Sequence, residues 1–255
     1  QCLQQGWREQ VELDADEVVD ATSLAALLPL PDNGKVGGFR VALHNALSTH
    51  DNGATSIHHY PRIFRRHPSI RYKGAIHEQI GEAIINAGFD IVESPVVIHH
   101  YGYTTITPQK IHRNATLLRT ELDRDPDNPW LQYHFGLTEF AAQRYETARQ
   151  YLLSALETTA LSPEQRETAW LRLAQIALGR DDWPEFEKRI SFTSTDVHRE
   201  GFRKYLTAVR SALSGKYQQA LAILSTDVVR LSSLVDREQF ETILNLCRQQ
   251  TFRTM

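Results

Sequence analysis

From Val11 to Glu17 the chain has the sequence Val-Glu-Leu-Asp-Ala-Asp-Glu, the pattern of a buried strand that runs directly into acidic residues. If the backbone stays extended, Asp14 and Asp16 lie at i and i+2, so both carboxylates leave the same face and converge on one hard cation. Oxygen ligands of this kind suit Mg²⁺ or Mn²⁺, which keep other positions free for water and phosphate oxygens. A helix N-cap or a solvated turn explains the same residues without a metal.

The first hundred residues combine helix and strand patterns. Apolar residues at helical spacing from Val18 to Leu30 predict a helix directly after the acidic stretch. Alternation from Gly37 to Leu47 predicts a half-buried strand. The stretch from Ile57 to Arg66 predicts an edge strand or a bulged one, because it contains Pro61. A further strand is expected from Phe89 to His99.

From Pro108 onward the pattern is helical throughout. Three aromatic residues begin similar segments at separations of 38 and 34 residues, and a small residue stands nine positions before each. The aromatics are Tyr145, Trp183 and Tyr217, and the small residues are Gly136, Ala174 and Ala208. This period is typical of tetratricopeptide arrays, in which paired helices touch at the small positions and each repeat packs on the next.

Length and composition favour two domains in a soluble, cytoplasmic protein. A chain of 255 residues can bury two modest cores. We predict an α/β region with a mixed sheet over residues 1–105, a connecting helix over 106–128 and an all-α repeat region over 129–255. The net charge of −3 argues against a nucleic-acid partner, and no apolar run is long enough for a transmembrane segment. Cys2 and Cys247 have no metal or redox spacing, which fits a reducing compartment.

Four short motifs occur in order before the repeats: Leu-Asp-Ala-Asp-Glu at Leu13–Glu17, Arg-x-Phe-Arg at Arg62–Arg65, Gly-x-x-His-Glu-Gln at Gly74–Gln79 and His-Tyr-Gly-Tyr at His100–Tyr103. In this order, and followed by helical repeats, they resemble family-2 glycosyltransferases with a C-terminal tetratricopeptide region. The resemblance implies a partial GT-A fold and a metal-dependent transfer of a sugar from a nucleotide-sugar donor to an acceptor hydroxyl.

The resemblance also implies roles for individual residues. Asp14 and Asp16 would bind the metal (Mg²⁺ or Mn²⁺) and the nucleotide diphosphate, and His100 would add a further contact to either. Glu78 would be the base that deprotonates the acceptor hydroxyl, and His77 would position the acceptor or the phosphate. An inverting transfer needs both a neutralised leaving group and a deprotonated nucleophile, which fits this division.

Other interpretations of the same residues remain open. Arg65 would contact a phosphate of the nucleotide, or would keep an edge strand soluble. His77 and Glu78 would form a catalytic pair, or a hydrogen-bonded pair that ties a turn to the sheet. His99 is expected on the opposite face of its strand from His100.

The implied partners are a nucleotide-sugar donor and a sugar, lipid-linked or protein acceptor. The repeats would bind a protein partner or form a homodimer. The donor-binding half should precede Asp14 by roughly eighty to a hundred residues, and thirteen residues do so. The chain alone is therefore expected to be inactive and to bind metal weakly. The alternative is a non-enzymatic tetratricopeptide interaction module with a vestigial α/β segment.

Overall fold

The computed structural model describes residues 9–28, 34–46, 55–72, 80–101 and 107–253. The chain forms two compact units that divide between Thr107 and Pro108. Strands lie in the first unit, and the described part of the second unit is helical. The predicted change from a mixed α/β region to an all-helical region is therefore confirmed.

The first unit, which we call the sheet unit, contains five strands and two short helices in its described ranges. They are β1 (Glu9–Val11), β2 (Glu17–Val19), α1 (Ala21–Leu27), β3 (Val36–Ala46), β4 (Thr55–Arg65), α2 (Gly81–Asn86) and β5 (Asp90–His100). The strands predicted at 37–47, 57–66 and 89–99 correspond to β3, β4 and β5 and are confirmed.

The strand order in the sheet is β1-β4-β3-β5-β2. The β3–β5 pair is parallel and the other three pairs are antiparallel, so the sheet is mixed. Because β1 and β2 lie at opposite edges, the residues between them, 12–16, run from one edge of the sheet to the other. The acidic stretch therefore passes strands that are distant from it in sequence.

The sheet packs one face into a core. The alternate residues Phe39, Val41 and Leu43 of β3 are buried with Val96 and Ile98 of β5. The period of two in a strand sends these residues to one face and their neighbours to the other. The α1 residues Leu24 and Leu27 pack on this core.

Strand β4 contains a bulge at Arg62. Phe39 pairs with Ile63 and Arg40 pairs with Pro61, so Arg62 is the extra residue. Proline donates no hydrogen bond to a ladder and is tolerated at edges and bulges, as the sequence predicts for this strand. A bulge changes the direction of its side chain, and here it turns Arg62 towards the acidic stretch.

Two predictions around the acidic stretch are wrong. The strand before it is not buried: β1 has three residues at a sheet edge, and Val11 is 45% exposed. The helix predicted from Val18 begins only at Ala21, because residues 17–19 form β2 on the edge of β5. Asp20, rather than an acidic residue of the Asp14–Glu17 stretch, caps α1 by accepting a hydrogen bond from the Ser23 amide.

The second unit, which we call the helical unit, contains nine helices within its described residues. They are α3 (Pro108–Leu122), α4 (Pro129–Ala141), α5 (Tyr145–Leu156), α6 (Pro163–Leu178), α7 (Trp183–Ile190), α8 (Val197–Leu213), α9 (Tyr217–Leu224), α10 (Asp227–Leu231) and α11 (Arg237–Arg253). The helix predicted near residues 108–124 is confirmed as α3, and it packs against α4.

Three helix pairs repeat one local geometry: α4 with α5, α6 with α7, and α8 with α9. The second helix of each pair begins at Tyr145, Trp183 or Tyr217. Two positions before each aromatic, the chain has a positive φ angle, at Gln143, Asp181 and Gly215. Positive φ ends a helix and reverses the chain, so the repeat in sequence is also a repeat in backbone conformation.

A glycine in α8 makes a closer contact than any alanine allows. A Cβ atom built on Gly201 would lie 2.1 Å from the Val228 carbonyl oxygen. Glycine to alanine normally stabilises a helix by about 1 kcal/mol. We expect Gly201→Ala instead to lower the free energy of unfolding of the helical unit by about 1–3 kcal/mol, because a backbone atom must move.

The matched control is Gly179→Ala at the end of α6, where the nearest heavy atoms would be 3.6 Å away, an ordinary contact. Urea denaturation followed by tryptophan fluorescence measures both variants. A Gly201→Ala protein as stable as wild type would contradict the close packing of α8 on α10.

No helix in the described ranges is both long and apolar enough to cross a membrane.

Candidate functional site

The acidic stretch forms a closed turn rather than an extended strand. The Glu17 amide donates to the Asp14 carbonyl oxygen at 3.0 Å. The Asp14 amide donates to Glu17 Oε2 at 2.9 Å. The assumption that Asp14 and Asp16 follow strand alternation is therefore wrong, and each carboxylate contacts a different strand.

The buried side chain of Glu17 holds this turn in place. Its side chain is completely buried, and Oε1 accepts a hydrogen bond from Arg62 Nη2 at 3.0 Å. A buried carboxylate requires a paired cation or several hydrogen bonds, and Glu17 has both Arg62 and the Asp14 amide. The same Arg62 nitrogen lies 3.5 Å from Asp14 Oδ2, so one guanidinium connects two carboxylates of the turn.

His100 approaches the turn from β5. It pairs with Glu17 across the β2–β5 ladder, and its Nε2 lies 3.4 Å from Asp16 Oδ1. The Tyr101 amide donates to the Asp16 carbonyl oxygen at 3.0 Å and holds the same segment. Asp16 and His100, 84 positions apart in the chain, are thus in contact at the end of one strand pair.

Together, Asp14, Asp16, Glu17, Arg62 and His100 form what we call the acidic-turn site. The two aspartate side chains are accessible, at 59% for Asp14 and 45% for Asp16, whereas Glu17 and Arg62 lie beneath them. The exposed aspartate carboxylates therefore lie over a buried ion pair. The buried Arg62–Glu17 pair has no net charge, so the two exposed aspartates make the surface of the site negatively charged.

A divalent cation fits part of this site. Asp16 and His100 offer one oxygen and one nitrogen at the same place, a donor set that Mn²⁺ accepts and Mg²⁺ accepts less readily. Asp14 is engaged by Arg62. Across the described ranges, no three His, Cys, Asp or Glu side chains are arranged to hold a metal. A cation held by Asp16 and His100 would therefore need ligand oxygens from a bound phosphate.

The other residues predicted for the site are elsewhere. Arg65 lies three residues beyond Arg62, and its guanidinium carbon is 5.0 Å from the centre of the Phe89 ring, beside α2. His77 and Glu78 lie outside the described residues. The sequence interpretation missed Arg62 and Glu17. Pro61 indicates a bulge in β4. That bulge, next to an arginine, was the sequence signal that could have identified Arg62 as a site residue.

A row of histidines lies on the opposite sheet face from the core. His44 pairs directly with His99, and His59 pairs with Ala42, so the three rings share one face. The His44 and His99 rings are 5.5 Å apart at their centres. Burial, followed by the charges of His99 and His59, lowers the pKa of His44.

This row predicts a loss of stability in acid. A pKa that is lower in the folded than in the unfolded chain means that the unfolded chain binds more protons. His44 therefore costs no stability above its unfolded pKa of about 6.5, and its destabilising effect grows as pH falls from there through the folded pKa. We expect the sheet unit to lose stability as the pH falls below about 7, and His44→Gln to reduce that loss.

Hydrogen exchange of β3 and β5 amides at a series of pH values, corrected for the intrinsic exchange rates, measures this effect. His67→Gln, which removes a histidine outside the row, serves as the control and should keep the wild-type dependence. An unchanged pH dependence in His44→Gln would rule out His44 as its source.

No known protein family has a model that matches this chain. Among curated proteins, none has a sequence that matches it.

Proposed function

We propose that the chain is part of a metal-dependent glycosyltransferase that moves a sugar from a nucleotide-sugar donor to an acceptor hydroxyl. The observation that carries the proposal is the contact of Asp16 with His100, 3.4 Å apart, on an exposed surface above the Arg62–Glu17 pair. An exposed carboxylate beside a largely buried imidazole, both held on a fixed ion pair, is suited to hold a cation with a phosphorylated ligand.

The residues of the acidic-turn site have separate roles in this proposal. Asp16 and His100 bind the cation, and Asp14 orients the nucleotide beside it. Arg62 and Glu17 are positioning residues: they hold the turn, and they leave the aspartates accessible. The cation supplies charge neutralisation for the departing diphosphate when it is bound. Glu78 remains the proposed base, with His77 beside it.

The helical unit has the role of a tetratricopeptide-like array in this proposal. Support comes from the three helix pairs with a positive φ angle two positions before each aromatic. Ala174 and Ala208, nine positions before two of these aromatics, are completely buried, as helix contacts at small positions require. The array would bind a protein partner or a protein acceptor, or form a homodimer.

A second candidate function is a non-enzymatic interaction module, in which the acidic turn only stabilises the sheet. The observation in its favour is the contact of Asp14 with Arg62, which uses one aspartate in an ion pair. In that case Asp16 and His100 would tolerate substitution without loss of any activity.

A turnover assay separates the two functions. The chain and the complete product of its gene are each incubated with a panel of nucleotide sugars, with Mn²⁺, with Mg²⁺ and with a chelator. We expect nucleoside diphosphate to be released only when a cation is present. Metal-independent release, or no release by the complete product with any donor, would favour the interaction module.

A further inference from the structure

The first helices of the three pairs, α4, α6 and α8, enclose an arginine. Arg172 of α6 lies between two aromatic rings, with its guanidinium carbon 5.1 Å from the centre of the Phe140 ring and 5.9 Å from that of Phe202. Its Nη1 donates to Gln175 Oε1 at 2.7 Å. We call this place, formed by Phe140, Arg172, Gln175 and Phe202, the Arg172 recess.

Arg172 has no anionic partner within the described part of the chain. By contrast, Arg144, Arg189, Arg199 and Arg203 of the same unit each contact a carboxylate. Burying a guanidinium without a carboxylate partner costs free energy, because the group loses hydrogen bonds to water. One hydrogen bond to an amide oxygen replaces few of them. Burial accordingly lowers the pKa of Arg172, and Tyr133 partly opposes this effect.

The recess is open to a ligand. Arg172 keeps part of its side chain accessible. Its Nε and Nη2 donate no hydrogen bond within the described part of the chain and are not completely buried, so both donors are accessible. Two parallel N–H groups of a guanidinium match the two oxygens of a carboxylate. Because folding has already removed part of the water around the guanidinium, an incoming carboxylate displaces less of that water.

The surroundings favour a polypeptide over a small anion. Half-buried apolar side chains follow on the same helices: Leu137 lies one turn from Phe140 and Val209 two turns from Phe202, and each packs partly on a core and is partly accessible. A single planar cation with apolar walls suits a carboxylate next to apolar residues better than it suits a phosphate dianion.

We infer that the Arg172 recess binds an acidic side chain of a polypeptide partner, with apolar neighbours of that side chain lying along α4 and α8. This inference specifies the partner chemistry of the helical unit in the proposed function. It does not depend on the acidic-turn site, so its failure and the failure of the transferase proposal are distinguishable.

The probes are two end-blocked peptides, Leu-Glu-Phe and Leu-Gln-Phe, and inorganic phosphate, each added at millimolar concentration. The readouts are the Nε–Hε signal of Arg172 in the NMR spectrum and the dissociation constants. We expect the acidic peptide to shift this signal and to bind about ten- to a hundredfold more tightly than the Gln peptide, as for one charge-assisted hydrogen-bonded pair.

Two variants complete the test. Arg172→Gln should remove the preference for the acidic peptide. Arg210→Gln is the matched control, because Arg210 stacks on a single ring, that of Trp183 at 3.9 Å, and should leave the preference unchanged. An Arg172 signal that neither peptide moves, equal binding of the two peptides, or a larger shift with phosphate than with the acidic peptide would each overturn the inference. The NMR readout uses the wild-type chain, so it holds even if a variant fails to fold.

Discussion

Replacing Arg62 with methionine is expected to destabilise the sheet unit by about 3–5 kcal/mol, the usual effect of removing one partner from a buried ion pair. The Glu17 side chain is completely buried and that of Arg62 is 17% exposed. Without the guanidinium, Glu17 keeps the Asp14 amide as its hydrogen-bond donor but loses its counter-charge. The turn that presents Asp14 and Asp16 should then lose its fixed geometry.

Arg40→Met is a matched control for this substitution. Arg40 contacts Glu93 at 3.1 Å, close to the 3.0 Å of the Arg62–Glu17 pair. The side chain of Arg40, however, is 43% exposed and that of Glu93 is 66% exposed. An exposed pair contributes about 0–1 kcal/mol. Hydrogen exchange of β3 and β5 amides reports on the sheet unit in both variants. Equal effects of the two substitutions would show that Arg62 does not support a buried carboxylate.

A further variant separates lost packing from lost charge. In the double variant Arg62→Met and Glu17→Gln, the uncompensated charge is absent. If the charge causes the instability, the double variant should be more stable than Arg62→Met alone.

The second large effect is expected on activity. Asp16→Asn in the complete gene product should lower metal-dependent turnover by about a hundredfold or more, because the site would lose the charged ligand of the cation that neutralises the departing diphosphate. Asparagine keeps the size of the side chain and removes its charge, so the turn itself should persist. His100→Gln should lower turnover in the same assay.

Asp90→Asn is the control for a general loss of negative charge. Asp90 is an exposed carboxylate at the other end of β5. Its substitution should leave turnover unchanged. Undiminished turnover in Asp16→Asn would remove this residue from the catalytic machinery and would favour the interaction module.

Much of the fold was predictable because its signals are local. The alternation in β3 and β5 and the helical spacing in α3 depend on residues a few positions apart. The three aromatics Tyr145, Trp183 and Tyr217 likewise begin three helices. The second pair shows the limit of this approach: Phe186 is fully buried where the other pairs have Ala148 and Ala220. The packing of the neighbouring helices accommodates the larger Phe186 ring.

The region around the acidic stretch was less predictable because its partners are distant in sequence. Residues 17–19 have helix-compatible spacing, but pairing with β5 makes them a strand. That pairing bends residues 14–17 into a turn. It also brings Asp16 to His100 and Glu17 to Arg62. The strand order, in which β1 and β2 occupy opposite edges, determines these contacts, and no short pattern in the sequence encodes it.

The most direct test of the acidic-turn site is paramagnetic broadening by Mn²⁺ in the NMR spectrum of the isotope-labelled chain, with and without a nucleoside diphosphate. We expect weak binding by Mn²⁺ alone, with the amides of Asp16, Glu17 and Tyr101 broadened first, and tighter binding when the diphosphate completes the coordination. Asp16→Asn should abolish this pattern, and Asp90→Asn should preserve it. Broadening centred elsewhere in the chain, or the same broadening in Asp16→Asn, would contradict a cation site at the acidic turn.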